Sequence, residues 1–304
     1  MNNLLSVSNL KKSYGKIEAV KGIDFYVEKN SFFAFLGPNG AGKSTTIEML
    51  CTLLRPDAGT IELDSLLIGR DDEKIRHTIG VVFQRSLLDP LLTVRENLIL
   101  RGGFYGLSVG KLKSAVNHAA EITGVAEILN RPYGKLSGGQ RRRADIARAL
   151  IHTPKILFLD EPTTGLDPQS RKMIWETVQA IQKESGMTVF LTTHYMEEAE
   201  HADYITVIDH GRISAKGTPL ELKNAYSSDC LKINTGELNK IKELLNLDHI
   251  KYSLEQDCVI IPVSHTTEAI PIIKKYESLI KNFEVRNGTM DDVFINITGE
   301  AVRE

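Results

Sequence analysis

The sequence predicts an α/β protein built on a parallel sheet and followed by a smaller α+β unit. Three observations carry this. Two short, wholly apolar runs, Phe32–Leu36 and residues 156–159, have the texture of parallel strands buried on both faces. The first runs directly into Gly37-Pro38-Asn39-Gly40-Ala41-Gly42-Lys43-Ser44 and then into a helical pattern with apolar Ile47, Leu50, Cys51 and Leu54 on one face. After residue 228, strand and helix patterns follow in the order β-α-β-β-α-β, which is ferredoxin-like.

Residues 4–36 alternate apolar and polar positions. Leu5, Val7 and Leu10 mark one strand and Ile23, Phe25 and Val27 another, the pattern of half-exposed antiparallel strands, with Tyr14-Gly15 in the turn between early strands. The helix after the glycine-rich loop is expected over 45–54; Arg55-Pro56-Asp57-Ala58-Gly59 ends it and leads to a strand at 60–63. A β-rich run, 79–83, ends at Gln84. The texture then turns helical. Thr93 and Glu96 have capping-box spacing, and Leu112, Val116 and Ala119 share a helical face, so about 85–150 reads as a helical insertion between sheet strands. Ser137 and Gln140 form a second capping box, opening a helix over 141–151. The apolar run at 156–159 ends in Asp160-Glu161-Pro162. A helix is expected over 170–184, a strand over Thr188–Thr193 ending at His194, and a hairpin turning at Asp209-His210-Gly211. The first domain is expected to occupy 1–228 and the second 229–304. In the second, strands are expected at 231–233, 250–254, 259–263 and near 283–285, helices at 237–247 and 267–280, and a short closing helix at 290–294.

Composition narrows the class. The chain has 304 residues, 42% hydrophobic and 25% charged, the make-up of an ordinary globular protein. A net charge of −2 gives no general pull toward nucleic acid, and no nucleic-acid partner is expected. No run approaches the ~18 uninterrupted apolar residues of a membrane-spanning helix. No signal peptide is evident at the start, so a cytoplasmic location is expected, with any membrane role exercised through a partner. Cys51, Cys230 and Cys258 are scattered without metal-ligand spacing and read as buried thiols in a reducing compartment.

The loop from Gly37 to Ser44 matches G-x-x-x-x-G-K-[ST] in full, between a strand and a helix. Gly37, Gly40 and Gly42 let the backbone curl so that its N–H groups point inward, and the helix start adds positive charge at the same place. Pro38, Asn39, Ala41 and Thr45 complete the cradle. Lys43 can reach the β- and γ-phosphates of a nucleoside triphosphate, and the Ser44 hydroxyl can ligate Mg²⁺. Asp160 ends an apolar strand, where a carboxylate can hold Mg²⁺ through its water shell; Glu161 beside it can point at an attacking water.

Leu136-Ser137-Gly138-Gly139-Gln140, together with the loop and Asp160-Glu161, resembles the signature of ABC ATPases, and the resemblance covers essentially all of residues 1–228. It implies an ABC ATPase core: a parallel sheet, an antiparallel β subdomain and a helical subdomain, with ATP and Mg²⁺ as ligands. Ser137, Gly138, Gly139 and Gln140 would meet the γ-phosphate on the opposite protomer of a head-to-tail dimer. Gln84 matches the glutamine loop that senses Mg²⁺ and the membrane partner. Gly165-Leu166-Asp167 matches the loop that crosses the dimer interface, His194 the histidine that contacts the γ-phosphate, and Tyr14 the aromatic that stacks on adenine. Lys43, Glu161 and His194 are the expected catalytic residues. Arg141-Arg142-Arg143 reads as a solvated or anion-facing helix start. Asn30-Ser31 stands where the family usually has Gly-Glu. The run 136–171, the two-part layout and the closing Asp291-Asp292-Val293-Phe294 look like the daunorubicin-resistance-type, multidrug-export branch, which pairs the ATPase chain with a separate membrane permease and places it at the inner face of the cell membrane. Two other readings are a soluble ABC ATPase acting on nucleic acid or ribosomes and an importer ATPase. The single cassette, with no coiled-coil or zinc insertion, argues against the first, and the C-terminal unit weighs against the second.

Overall fold

The computed structural model describes residues 3–299. They divide into two compact units between Lys216 and Gly217. This division precedes residue 228, because residues 219–226 form a helix that packs on the closing helix of the second unit.

In the first unit β1 (Asn3–Tyr14) and β2 (Ile17–Glu28) make an antiparallel hairpin, with Leu5, Val7 and Leu10 facing Val27, Phe25 and Ile23. β3 (Phe32–Leu36) is buried along its whole length and leads through the glycine-rich loop to α1 (Lys43–Leu50). β4 (Ala58–Leu63), β5 (Leu66–Leu67), α2 (Asp72–Thr78) and β6 (Ile79–Val82) follow. Three helices come next: α3 (Val94–Gly103), α4 (Val109–Ile122) and α5 (Gly138–Leu150). The unit is completed by β7 (Ile156–Asp160), α6 (Pro168–Ser185), β8 (Thr188–Thr193), α7 (Met196–Ala199), β9 (Tyr204–Asp209) and β10 (Arg212–Gly217). α1 starts earlier than the expected 45–54 and stops at Leu50, where Thr52 turns the chain with φ +61.

One sheet has the order β2-β1-β4-β5 and is antiparallel; the other has the order β10-β9-β3-β8-β7-β6, with the strands from β9 to β6 parallel to their neighbours. Aromatic packing joins the two. Phe25 of the antiparallel sheet lies 5.7 Å from Phe33 and 5.4 Å from Phe35, and Phe190 touches all three and Phe158. The helices α3–α5 enclose a separate core of Val94, Leu98, Val116, Ala120, Tyr133 and Ala147. Both expected capping boxes are present, Thr93 with Glu96 and Ser137 with Gln140. Asn30 turns the chain into β3 with φ +62, a conformation suited to Gly and, among other residues, to Asn, which accounts for Asn in place of the family's Gly.

The turn after α3 and the end of α5 meet where Tyr105 stacks on His152, ring centroids 3.9 Å apart. The His152 Nε2 contacts Ile79 O at 2.9 Å and so carries the proton, while Nδ1 is buried with no partner among the described residues. Burial pushes this imidazole down to about 4, and the neighbouring His77 and Arg148 act in the same direction. Unfolding therefore takes up a proton between the ordinary value of 6.5 and about 4, and stability falls as the pH drops through that window. Thermal melts at about pH 7.5 and pH 5 should differ less in His152→Gln than in the natural chain. An equal difference would remove His152 from the acid sensitivity.

In the second unit α8 (Pro219–Tyr226) precedes β11 (Asp229–Thr235), α9 (Leu238–Leu247), β12 (Ser253–Glu255), β13 (Cys258–Val263), α10 (Ala269–Tyr276), β14 (Ile280–Arg286) and α11 (Met290–Thr298). The antiparallel sheet has the order β12-β13-β11-β14, the ferredoxin-like arrangement that the sequence order predicts. Leu231, Ile233, Val259 and Ile261 pack against Ile241 and Leu245 of α9. The strand expected at 250–254 is displaced to Ser253–Glu255, with Ile250 and Tyr252 packed against the core instead. The helix expected over 267–280 ends at Tyr276, because Ile280 already pairs with Thr235. Cys51 and Cys230 are buried, Cys258 is half-buried, and all three are free. Among the described residues no helix is long and apolar enough to cross a membrane.

Candidate active site

The carboxyl ends of four strands line up at one edge of the six-stranded sheet. Leu36 is level with Thr193, Asp160 with Thr192, and Val82 with Leu159. The glycine-rich loop, His194, Glu161 and Gln84 leave from these ends, the position at which open parallel sheets place ligands.

Two glycines fix the course of the loop. A Cβ on Gly37 would stand 2.3 Å from Ile208 O, and one on Gly42, where φ is +108, would stand 2.5 Å from Ala19 O. The Ala41 N–H donates to Pro38 O at 3.2 Å and the Gly211 N–H donates to Ala41 O at 3.0 Å, so the loop is curled and tied to the β9–β10 turn. Gly42 precedes α1 without a side-chain cap. The N–H groups of Lys43, Ser44 and Thr45 thus open the helix with no acceptor inside it. Asn39, Gly40 and Ser44 are exposed, and Pro38 and Thr45 are half-buried.

Lys43 is 4% exposed and folds back over the loop. Its Nζ donates to Gly37 O at 2.7 Å and Pro38 O at 3.1 Å, and lies 3.4 Å from Glu161 Oε1. Burial lowers its pKa, with Glu161 and Asp160 pulling the other way. Glu161 has φ +44, a conformation that costs a non-glycine residue strain. Its N–H is shared between Thr192 O at 3.0 Å and Thr192 Oγ1 at 3.2 Å. The same Oε1 that meets Lys43 stands 3.3 Å from His194 Nδ1, and Thr164 Oγ1 donates to Oε2 at 3.3 Å. The His194 contact is the main cause that holds the Glu161 carboxyl down at about 2; burial opposes it and Lys43 reinforces it.

Asp160 is buried, and its Oδ1 accepts from Thr192 Oγ1 at 2.6 Å. Burial raises its pKa, and the bond from Thr192 and the charges of Lys43 and Arg142 only partly offset this. Such a carboxylate gains from a cation. Among the described residues no cluster of three His, Cys, Asp or Glu side chains could hold a metal unaided. One carboxylate and the exposed Ser44 hydroxyl fit Mg²⁺, which keeps water and phosphate oxygens in its shell.

Ser137, Gly138, Gly139 and Gln140 open α5, with Ser137 Oγ accepting the Gln140 N–H at 3.3 Å and Gln140 Oε1 accepting the Ser137 N–H at 3.1 Å. A Cβ on Gly139 would come within 2.6 Å of Ser170 Oγ, so this start packs against α6. Asp167 caps α6, accepting the Ser170 N–H at 2.9 Å and its hydroxyl at 2.6 Å. The structure thus gathers Lys43, Asp160, Glu161 and His194 in one cluster and Ser137–Gln140 with Asp167 in another. Gln84 is exposed just beyond β6. Tyr14 ends β1 and is 47% exposed; the hairpin meets the loop through Ala19 and Val20, beside Gly42.

The sequence does not single out Thr192 or Glu198, and it reads Arg142 differently from what the structure shows. Thr192 serves both Asp160 and Glu161. Glu198 is buried and accepts from the hydroxyls of Thr163 and Thr193, tying together the segments that follow Glu161 and precede His194. Arg142 corrects the expectation of a solvated or anion-facing arginine run: it is 7% exposed and, among the described residues, donates to backbone carbonyls, while Arg141 faces solvent and Arg143 donates to Gly124 O. Its spacing to Asp145, Ile146 and Ala149 puts it on the inner face of α5, a signal present in the sequence.

Known proteins match along the whole length of the chain. The ABC transporter family model matches residues 20–164. The linearmycin resistance ATP-binding protein of Bacillus subtilis is 38% identical over 99% of this chain and all of its own length. The daunorubicin/doxorubicin resistance ATP-binding protein of Streptomyces peucetius is 36% identical over 97% of this chain and 92% of its own. Among solved structures, cbiO1 from Clostridium perfringens, described as part of the ABC transporter complex cbiONQ, superposes with a TM-score of 0.69 and 30% identity, covering 81% of this chain and 96% of its own. A dimeric ATP-binding cassette with bound ADP and phosphate gives a TM-score of 0.64 at 29% identity, covering 70% of this chain and 98% of its own. The fold, the phosphate loop and these likenesses agree: the chain belongs to the ATP-binding proteins of ABC transporters, in the daunorubicin-resistance-type branch, and it is an ATPase.

Proposed function

We propose that the chain is the motor of an exporter, in which two copies close head to tail on two molecules of Mg²⁺-ATP and drive a separate transmembrane permease that moves drug-like or other small molecules outward. The observation that carries the reading is the contact of Lys43 and His194 with one oxygen of Glu161, at 3.4 Å and 3.3 Å. A γ-phosphate competes for both groups. When Lys43 and His194 turn to it, Glu161 loses the partners that hold its carboxyl near 2 and can take the proton of an attacking water. Tyr14 stacks on the adenine, and the amides of the loop cradle the phosphates. Asp160 and Ser44, with Gln84, would hold Mg²⁺, which would supply neutralisation of charge on the β- and γ-oxygens. Ser137 and Gly138, exposed at a helix start, and the half-buried Gly139 beside them offer amides that suit an anion carried by a second copy. Asp167 lies beside them on that interface. Loss of the γ-phosphate removes these contacts and reopens the dimer.

The helical segment supports the permease. It leaves Leu91, Leu100 and Phe104 exposed beyond Gln84, at 87%, 51% and 71%. The names of the relatives, resistance to linearmycin and to daunorubicin/doxorubicin and export of Nod factor, support outward transport. The chain then works on the cytoplasmic face of the membrane. Affinity purification of the tagged chain from detergent-solubilised membranes tests this. A multi-spanning membrane protein is expected to co-purify; recovery with ribosomes or nucleic acid alone would contradict the reading.

A further inference from the structure

We propose that Arg142 is a positioning residue that sets the Glu161 turn and the root of Gln84 from the helix that carries Ser137, so that a chain's signature and its own catalytic carboxylate move as one piece. The inference rests on Glu161 acting as the base. Arg142 lies in the second turn of α5, five positions after Ser137, and is 7% exposed. Its Nε donates to Pro162 O and its Nη1 to Phe83 O. Its Nη2 donates to Glu161 O at 2.9 Å and to Asp160 O at 3.2 Å. Four carbonyls from two segments therefore converge on one guanidinium. The nearest acid on its own helix, Asp145, is engaged elsewhere, accepting from Ser86 at 2.6 Å and Tyr133 at 3.2 Å.

The geometry has a specific cause and a specific effect. Three successive carbonyls, from Asp160 to Pro162, reach one group where the chain turns through the left-handed conformation of Glu161 at φ +44. Such a conformation persists only where its surroundings hold it. Thr192 holds the N–H side of Glu161 and Arg142 the carbonyl side, which fixes the direction of its side chain. Phe83 O belongs to the peptide that enters Gln84. A planar fork with five donors spans both segments; a lysine ammonium, a point charge on a flexible stem, cannot. In a head-to-tail dimer Ser137 serves the partner's ATP. Movement of that helix start thus reaches Glu161 and Gln84 of its own site through Arg142.

Arg142→Lys keeps the charge and loses the span, and Arg142→Gln is the second variant. A misplacement of about 1 Å can cost about 10²-fold in rate, so kcat should fall by about 10- to 100-fold in both. The Kd for ATP, set at the untouched phosphate loop, should stay within about threefold, because binding and positioning are separate here. Hydrogen exchange of the nucleotide-free protein should quicken at Gln84 and at 161–164. In a Glu161→Gln background Arg142→Lys should cost little further turnover, since it acts through Glu161. Unchanged kcat in both Arg142 variants, or the same fold loss with and without the Glu161 carboxylate, overturns the inference. If Glu161→Gln alone hydrolyses ATP like the natural chain, the base assignment fails. The inference about Arg142 is then decided by exchange at 161–164: faster exchange upholds the clamp, and unchanged exchange removes it.

Discussion

Glu161→Gln should lower ATP turnover by about 10²–10⁴-fold, the usual contribution of a positioned general base, and should leave ATP bound. The substituted amide keeps the size of the side chain and can hydrogen-bond a water, but it cannot take a proton. The phosphate loop and Asp160 have supports of their own. The loop is shaped by Gly37 and Gly42 and tied by Ala41 and Gly211, and Asp160 is held by Thr192. The substitution also removes the carboxylate that engages Lys43 and His194 in the nucleotide-free protein, so ATP no longer displaces an ion pair. Affinity should therefore be equal or higher while kcat collapses. Single-turnover hydrolysis beside equilibrium nucleotide binding separates the two. Turnover within tenfold of the natural chain would remove Glu161 from the chemistry.

Lys43→Ala should cost about 10²–10³-fold in turnover, the typical loss when one pre-placed charge donor to a developing transition state is deleted, and should weaken ATP binding as well. Lys43 is the buried cation at the loop, and its present acceptors are the loop carbonyls Gly37 O and Pro38 O. The change also removes the ammonium beside Glu161, while His194 and Thr164 remain next to its carboxylate. Its carboxyl should then titrate higher than about 2, still held by His194. A variant with near-normal steady-state hydrolysis would contradict the assignment of Lys43.

Much of this site is legible in the sequence because its chemistry is local. The strand, loop and helix around Gly37–Ser44, the capping box at Ser137 and Gln140, and an apolar strand ending in Asp160-Glu161 are each short-range patterns. What sequence cannot bring forward is the register of parallel strands distant in the chain. Thr192 is one of three threonines in a buried strand until β8 is set beside β7, with Thr192 level with Asp160. Arg142 is masked by charged neighbours; only its phase on α5 separates it from Arg141 and Arg143. Glu198 stands in an acidic run, Glu197-Glu198, and is set apart by burial beneath Thr163 and Thr193. In the second unit the strand order is readable, while the ends of α10 and β12 are decided by pairing and core contacts.

In the proposed mechanism two chains share the ATP sites, each lending Ser137 to the other. Light scattering on a sizing column, with and without Mg²⁺-ATP, tests it most directly on Glu161→Gln and on Glu161→Gln with Ser137→Arg. ATP should shift the first from monomer to dimer mass, because binding stabilises the closed form and turnover no longer dissolves it. The second should bind ATP and stay monomeric, since bulk and positive charge then fill the sandwich. A monomeric Glu161→Gln that binds ATP tightly, or a double variant that dimerises on ATP, would contradict the account.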